Sequence, residues 1–503
     1  MTKFTTNILM AVIRLMVSGS TAQAERSWLP AGNDAFPAST PQKDLKILVL
    51  SDPHVMDPAL VVSEGKAWAN FLNSAHKMLD YSKTLFDEMV NRIKTDIHPD
   101  LVLITGDLTK DGEAICHHYV KGKLDELKDA GIPTLVITGN HDWGTSNAQY
   151  YDGASTTPAE TLTMAELATL YANYGFGSSE REETTLTYAC EPFPGLVVIG
   201  IDSGRDGLLS STTLHWVCDQ AKAASDSGKQ VLAMMHHPII PHFTGAEFYM
   251  ESMAIQDYAT VRNALADAGI RVIFTGHVHT SDIIKDYNGD LSKHIYDVNT
   301  GSLISYPNDY RIITLPSDLS STEVTTCSVT EIIPGDGFAD VARKRFHDAS
   351  VDIVSSRGTA YSLIASSAAD AFLYHAEGDE PDNADAGSTL STLINVGYLA
   401  KSFKFITDEQ FTKLSNMVNS MLKDLSNYGD ADREDRTADR TLSIPMPSPS
   451  SSVSPIRDDS LSHGSSSSIY TLQGIPVSHP TKGFYITGKR KKIYLSDTPS
   501  SSQ

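Results

Sequence analysis

The sequence predicts an α/β fold, and three observations carry the prediction. Five short runs rich in Val, Ile and Leu stand apart along the chain: Leu45–Leu50, Leu101–Thr105, Leu135–Thr138, Val231–Met235 and Val272–Thr275. Stretches of helical spacing separate most of them, as expected of buried parallel strands joined by crossover helices. Each run stops abruptly at residues that carry chemistry. Asp52 and His54 follow the first and Asp107 the second. Asn140, His141 and Asp142 follow the third, His236 and His237 the fourth, and His277 and His279 the fifth. In α/β sheets ligands bind just beyond the carboxyl ends of the strands, so these five ends are expected to converge.

Taken in order, residues 1–24 combine Lys3, the apolar run Ile8–Ile13 and the ending Ala22-Gln23-Ala24, interrupted by Arg14. This resembles a secretory signal peptide. A lead-in with Pro30, Pro37 and Pro41 precedes the first strand. No later stretch holds 18 consecutive apolar residues, so no transmembrane span is expected in the mature chain. From Trp68 to Lys94 the positions Phe71, Leu72, Met78, Leu79, Leu85, Phe86, Met89, Val90 and Ile93 keep helical spacing, a face for core packing. Another helix is expected from Thr109-Lys110-Asp111-Gly112-Glu113 to a stop at Gly131 and Pro133. His117 and His118, within it, read as surface or satisfied core histidines.

A Gly/Ser/Thr/Asn-rich loop over 144–157 precedes a helix expected over 158–174. Strands near 186–188 and 196–202 lead into a helix over 211–224. Gly289 marks a hairpin-like break, and strands over 311–315 and 323–329 are expected to complete a second sheet. From Phe338 the spacing is helical without strands, which assigns a helical extension to 333–430, with helices over 339–353, 361–372, 390–396 and 409–425. Residues 431–468 turn charged and then Ser- and Pro-rich, the composition of a disordered linker. The end, 469–495, is strand-like in Ile469–Gly474, Lys482–Lys489 and Ile493–Leu495. That short element resembles the terminal part of the C-terminal sorting domains of the Bacteroidota type IX secretion route. It implies that machinery as a partner and a secreted, periplasmic or cell-surface location.

Composition narrows the function. The 503 residues carry a formal charge of -22, which repels nucleic-acid backbones and disfavours general DNA or RNA binding. Four cysteines (Cys116, Cys190, Cys218, Cys327) lie far apart without a C-x-x-C pair, and read as free thiols unless export permits one disulfide. The strand-end set of Asp, His and Asn is an oxygen and nitrogen donor set without thiolate, suited to Zn, Mn or Fe. Singly, Asp52 or Asp107 reads as a turn or cap aspartate, and His54 or His236 as a satisfied interior histidine. Jointly they read as a metal site.

The ordered blocks Asp52-x-His54, Gly106-Asp107, Gly139-Asn140-His141-Asp142, His236 and Gly276-His277-x-His279 resemble the calcineurin-like metallophosphoesterase family over roughly Leu45 to Gly301. The phosphoesterase domain is assigned to residues 45–332. The resemblance implies a two-sheet sandwich flanked by helices. It also implies two divalent cations, of Fe, Mn or Zn. Asp52, His54, Asp107 and His279 would hold one; Asp107, Asn140, His236 and His277 would hold the other, with Asp107 shared. The family's histidine of the fourth block precedes proline by two positions, which selects His236 over His237 because Pro238 follows.

The implied reaction is hydrolysis of a small-molecule phosphate ester by a metal-bridging hydroxide, with His141 as the leaving-group acid and Asp142 orienting it. Two divalent cations against Asp52, Asp107 and a hydroxide leave about +1, which attracts a phosphate anion; neutral Asn140 preserves that charge. The stretches Gly106–Glu113, His236–Pro238 and Gly276–His279 are most similar to the branch of cyclic-nucleotide and glycerophosphodiester phosphodiesterases. Diesters are therefore favoured over monoesters as substrates. A non-catalytic metal-binding scaffold is disfavoured by the full ligand set together with His141, and a surface adhesin would rest on the C-terminal element alone. Trp143, Tyr150, Tyr151, His242, Phe243 and Tyr249 follow the ligands on loops, and either line a substrate pocket or pack those loops.

Overall fold

Side-chain alternation along the strands sorts the chain into layers. The computed structural model carries strands β1 (Leu45–Leu50), β2 (Leu101–Ile104), β3 (Thr134–Val136), β4 (Glu180–Arg181), β5 (Tyr188–Phe193), β6 (Leu196–Ile201), β7 (Gln230–Met235), β8 (Val272–Thr275), β9 (Asp282–Tyr287), β10 (His294–Asn299), β11 (Asp309–Leu315), β12 (Ser321–Ser328) and β13 (Thr441–Pro445). Six form one sheet in the order β13-β12-β11-β1-β2-β3, and seven form another in the order β9-β10-β8-β7-β6-β5-β4. The structure describes residues 41, 43–73, 76–242, 253–289, 291–356, 362, 365–378, 384–404, 406–423, 438–447, 469–470, 476–477, 483–487 and 492–495. The signal-like segment, most of the linker, Phe243 and Tyr249 lie outside them.

In β7, Leu232 and Met234 join the large core that also holds Leu48 and Leu103 of the first sheet, while Val231, Ala233 and Met235 face a second core. Helices Ser211–Asp226 and Tyr258–Asp267 cover that second core with Val217, Ala221, Val261 and Leu265. The period of two thus places one face of the second sheet against the first sheet and the other under helices. Helix Ser82–Arg92 packs Leu85, Phe86, Met89 and Val90 into the main core. The two-sheet sandwich flanked by helices is the architecture observed.

Parallel pairing of β1 with β2 and β2 with β3, and of β6, β7 and β8 with one another, turns the carboxyl ends of these strands the same way within each sheet. Among the described residues, no helix is long and apolar enough to cross a membrane. All four cysteines are free thiols.

Several boundaries differ from the sequence expectation. The helical spacing over 68–94 is two helices, Lys66–Leu72 and Ser82–Arg92. Residues expected in a loop and the start of a helix instead form strands: Gln149–Asp152 pairs with Ser155–Pro158 and with Val61–Ser63. The helix itself begins at Met164, where Thr163 and Glu166 close a capping box. The strands β11 and β12 return to the first sheet rather than completing the second, because β11 pairs antiparallel with β1 from Leu45↔Leu315 to Val49↔Arg311.

The assigned linker 431–468 also contains structure. Residues 441–445 are edge strand β13, paired with β12 from Ser321↔Pro445 to Thr325↔Thr441. Its anchor is polar: the buried Asp439 accepts from Ile283 N–H at 2.8 Å, and its carbonyl accepts from fully buried Arg311 at 2.6 Å. Arg311 also donates to the Asn299 carbonyl of the second sheet, tying both sheets to this returning segment. Helices Phe338–Ser355, Ala365–Glu377, Ala384–Ser402 and Asp408–Lys423 lie between β12 and β13 in the chain. In a separate unit, residues 469–470, 476–477, 483–487 and 492–495 form a four-stranded sheet.

Candidate metal centre

Every residue of the expected ligand set sits just past the carboxyl end of its strand: β1, β2 and β3 in the first sheet, β7 and β8 in the second. The turns that leave the strands are unusual. Asp52, His54, Asp107, His277 and His279 take φ of 49°, 37°, 48°, 72° and 62°. That left-handed region is uncommon for residues with a Cβ, and such conformations concentrate at functional sites where surrounding packing enforces them. Two glycines permit the close approach of the loops. A Cβ on Gly139 would lie 2.2 Å from Asp107 Oδ1, and one on Gly276 would lie 1.9 Å from Ser51 Oγ.

All seven expected ligands come together. Asp52, His54 and His279 form one group of donor atoms, and Asp107, His236 and His277 form another. In the first, His54 Nε2 lies 3.2 Å from His279 Nε2, and Asp52 Oδ1 lies 3.2 Å from His279 Nε2. In the second, Asn140 Oδ1 lies 2.9 Å from both His236 Nε2 and His277 Nδ1. Asp107 Oδ2 joins the groups, 3.4 Å from His54 Nε2 and 3.3 Å from His236 Nε2. His236 is fixed by its other nitrogen, where Nδ1–H donates to the Thr105 carbonyl at 2.9 Å and leaves Nε2 to offer its lone pair.

The donor set fits cations better than protons. Imidazole nitrogens from different strands face one another across 3.2–3.3 Å, where one proton at most can serve two lone pairs. Asp52 Oδ1 is buried and, among the described residues, accepts no hydrogen bond. A divalent cation in each group would satisfy these atoms with oxygen and nitrogen donors.

The electrostatics agree. Burial raises the Asp107 carboxyl, but His236, His141 and His54 outweigh it and hold it well below the usual carboxylate range. Burial also opposes charge on His236, yet Asp107 and Asp52 push that imidazole up to about 9. Burial, with Lys77 nearby, holds His54 well below its ordinary value and therefore neutral.

His141 is close by and is oriented by a different partner from the one expected. Its Nδ1 lies 2.7 Å from Asp111 Oδ1, and its Nε2 lies 3.2 Å from Lys77 Nζ. Asp111 in turn accepts from Lys110 Nζ at 2.5 Å, and Lys110 is also paired with Glu113 at 2.9 Å. The assignment of Asp142 as the orienting partner is therefore corrected. Its carboxylate accepts from Gly139 N–H, Leu108 N–H, Thr109 N–H and Thr109 Oγ, at 2.8–3.0 Å. Those four donors occupy it, and it stitches the loop after β2 to the loop after β3. Burial and the Asp107 carboxylate push Asp142 up to about 7, against the pull of those N–H groups.

The remaining candidates resolve into supporting roles. His237 Nδ1 lies 2.8 Å from Ser203 Oγ, outside the donor cluster, as the Pro238 spacing implied. His117 is a buried core histidine between Tyr171 Oη at 3.0 Å and the Asp142 carbonyl at 2.8 Å, and His118 is exposed. Tyr151 is buried against Trp68 and Phe71, and His242 is buried between Asp282 and Asp297. Both are therefore buried packing residues, Tyr151 on the strand Gln149–Asp152. Sequence reading missed Asp111 and Lys77, the two side chains that touch the His141 ring nitrogens. Asp111 was visible as a charged residue four after Asp107; Lys77 gave no signal, lying in a stretch read as helix.

Residues 45–281 match the model of the family described as calcineurin-like phosphoesterase. A probable cyclic nucleotide phosphodiesterase of Fibrobacter succinogenes is 24% identical over 245 residues, which is 48% of this chain and 76% of that protein. A probable glycerophosphodiester phosphodiesterase of Arcobacter nitrofigilis is 27% identical over 242 residues, covering 46% of this chain and 71% of that one. Among solved structures, a dimetal phosphatase from Danio rerio aligns at a TM-score of 0.41 and 13% identity, over 56% of this chain and 96% of that one.

Proposed function

We propose that residues 45–281 form a calcineurin-like phosphoesterase domain that hydrolyses small-molecule phosphate esters, with a preference for diesters, using two divalent cations. The observation that carries this reading is the position of Asp107 Oδ2, within 3.4 Å of ring nitrogens from both donor groups. A carboxylate so placed can bridge two cations. When bound, such a pair polarises phosphoryl oxygens and supplies a nucleophile from water at neutral pH.

The chain's own residues do the rest. Asp52, His54 and His279 would hold one cation, Asn140, His236 and His277 the other, with Asp107 placed between the two groups. Asn140 contributes a neutral oxygen, which keeps net positive charge available to a phosphate anion. His141 protonates the leaving oxygen from Nε2, and Asp111 at Nδ1 fixes the ring and stabilises its charged form. Asp142 holds the His141 loop against the Asp107 loop. The preference for diesters is supported by relatives named as cyclic nucleotide and glycerophosphodiester phosphodiesterases.

The test is hydrolysis by protein reconstituted separately with Fe, Mn and Zn. Bis-p-nitrophenyl phosphate, p-nitrophenyl phosphate and cyclic nucleotides are the substrates, and Asn140→Ala is the control. Turnover of the diester that depends on metal and on Asn140 is expected; no turnover of any ester with any metal would refute the reading. The signal-like segment and the strand-like end support export to the periplasm or cell surface. N-terminal sequencing of the mature protein after Ala24 would test that reading.

A further inference from the structure

The segment 76–81 brings one cation to the centre. Lys77 is half-buried, its Nζ lies 3.2 Å from His141 Nε2, and among the described residues it makes no ion pair. Lys110, the other lysine nearby, is buried and neutralised by Asp111 and Glu113, so it has no charge to offer a ligand. Lys77 differs. With the His141 Nδ1–H directed at Asp111, Nε2 takes one ammonium hydrogen when it carries no proton and none when it carries the proton for the leaving oxygen; an ammonium carries three. Once cations offset Asp52 and Asp107, a half-buried ammonium with unused donors is completed by an anion.

The backbone that delivers Lys77 is held from outside the phosphoesterase match, which ends at Ser281. Met78 N–H donates to the Ile304 carbonyl at 2.7 Å. The ring of His76 stacks on Phe346 at 4.5 Å, and its Nε2 lies 2.9 Å from Ser350 Oγ. Arg345 pairs with Asp80 at 2.7 Å and covers the Tyr81 ring, which also meets Phe338. Phe338, Arg345, Phe346 and Ser350 all belong to helix Phe338–Ser355. One helix of the extension thus grips the residues flanking Lys77 on both sides.

We infer that Lys77 binds a non-bridging oxygen of the substrate phosphate, and that helix Phe338–Ser355 serves to hold it there. The inference rests on the phosphoesterase reading for the identity of the anion. It makes Lys77 a substrate-binding residue and gives the helical extension a part in catalysis.

The test uses the full chain loaded with metal, as wild type, Lys77→Met and Lys77→Arg. Calorimetric titration with inorganic phosphate is expected to show about tenfold weaker binding for Lys77→Met, the size of one lost charged hydrogen bond, with unchanged metal per chain. Lys77→Arg should restore most of it. KM should rise more for p-nitrophenyl phosphate, a dianion, than for the monoanionic bis ester. Unchanged phosphate affinity in Lys77→Met, or a loss matched by loss of metal, would overturn the inference. Phosphate binding and turnover separate the two readings. If wild type cleaves no ester yet Lys77→Met weakens phosphate, the enzymatic reading fails and the anion site stands. The pair Arg345→Ala and Ser350→Ala, remote from the centre, should weaken phosphate in the same direction by less; no effect would remove the helix from the account.

Discussion

His141 Nδ1 lies 2.7 Å from Asp111 Oδ1, and that carboxylate is itself gripped by Lys110. The pairing fixes the ring, and Nε2 lies 3.2 Å from Lys77 Nζ. Asp111 is held below the ordinary aspartate value: burial raises it, but hydrogen bonding to His141 and the Lys110 charge prevail.

His141→Ala is therefore expected to lose ~10²–10⁴-fold in turnover while keeping its metal, as befits a general acid rather than a ligand. Asp111→Asn should lose less, because the ring keeps its place but loses the carboxylate that fixes Nδ1. Metal analysis showing equal metal loss in His141→Ala would make the histidine structural.

The bridging geometry of Asp107 predicts a difference in stoichiometry. Asp107→Asn should impair both cations, whereas Asn140→Ala should lose one of two, counted by elemental analysis of dialysed protein. Gly139→Ala should resemble Asp107→Asn, since its Cβ would meet Asp107 Oδ1 at 2.2 Å against a backbone that leaves little room to shift. Full metal content in Gly139→Ala would contradict the packing argument.

A buried ion pair away from the centre gives the stability a pH dependence. His242 lies 3.1 Å from Asp282 and 3.6 Å from Asp297. Burial opposes its charge, but the two carboxylates outweigh burial and push it from 6.5 up to about 10. The stabilisation is full below about 6.5 and is lost as pH rises through about 10. His242→Phe leaves two buried carboxylates without their cationic partner and should cost ~3–5 kcal/mol near pH 6.5. The gap in thermal stability should narrow toward pH 10; a gap constant across that window would rule out the charge argument.

The returning strand β13 makes a prediction about truncation. A chain ending at Ser451 keeps β13, Asp439 and Arg440; one ending at Thr437 loses all three. The shorter chain leaves Arg311 without its Asp439 partner and the buried Asp309 without Arg440, which approaches it to 3.2 Å. It should unfold at a lower temperature than the longer one in a thermal melt. Equal melting temperatures would mean the strand is ornamental.

What the sequence alone determined is the set of candidate ligands and the ends of the strands that carry them. An apolar run followed at once by Asp-x-His or Gly-Asn-His is a local pattern, and a buried strand leaves its carboxyl-end residues little choice of position. Asp52, His54, Asp107, Asn140, His236, His277 and His279 were legible for that reason, as was the helical spacing over 338–423. Tertiary structure decided the rest. Asp111 rather than Asp142 orients His141 because Asp142 is occupied by four donors from two loops, which no spacing along the chain reveals. Lys77 gained its place only when Phe346 and Ser350, more than 260 positions away, closed on its neighbour His76. The polar segment that reads as linker became an edge strand because β12 offered unpaired backbone groups, and hydrogen bonds between distant strands leave no trace in local composition.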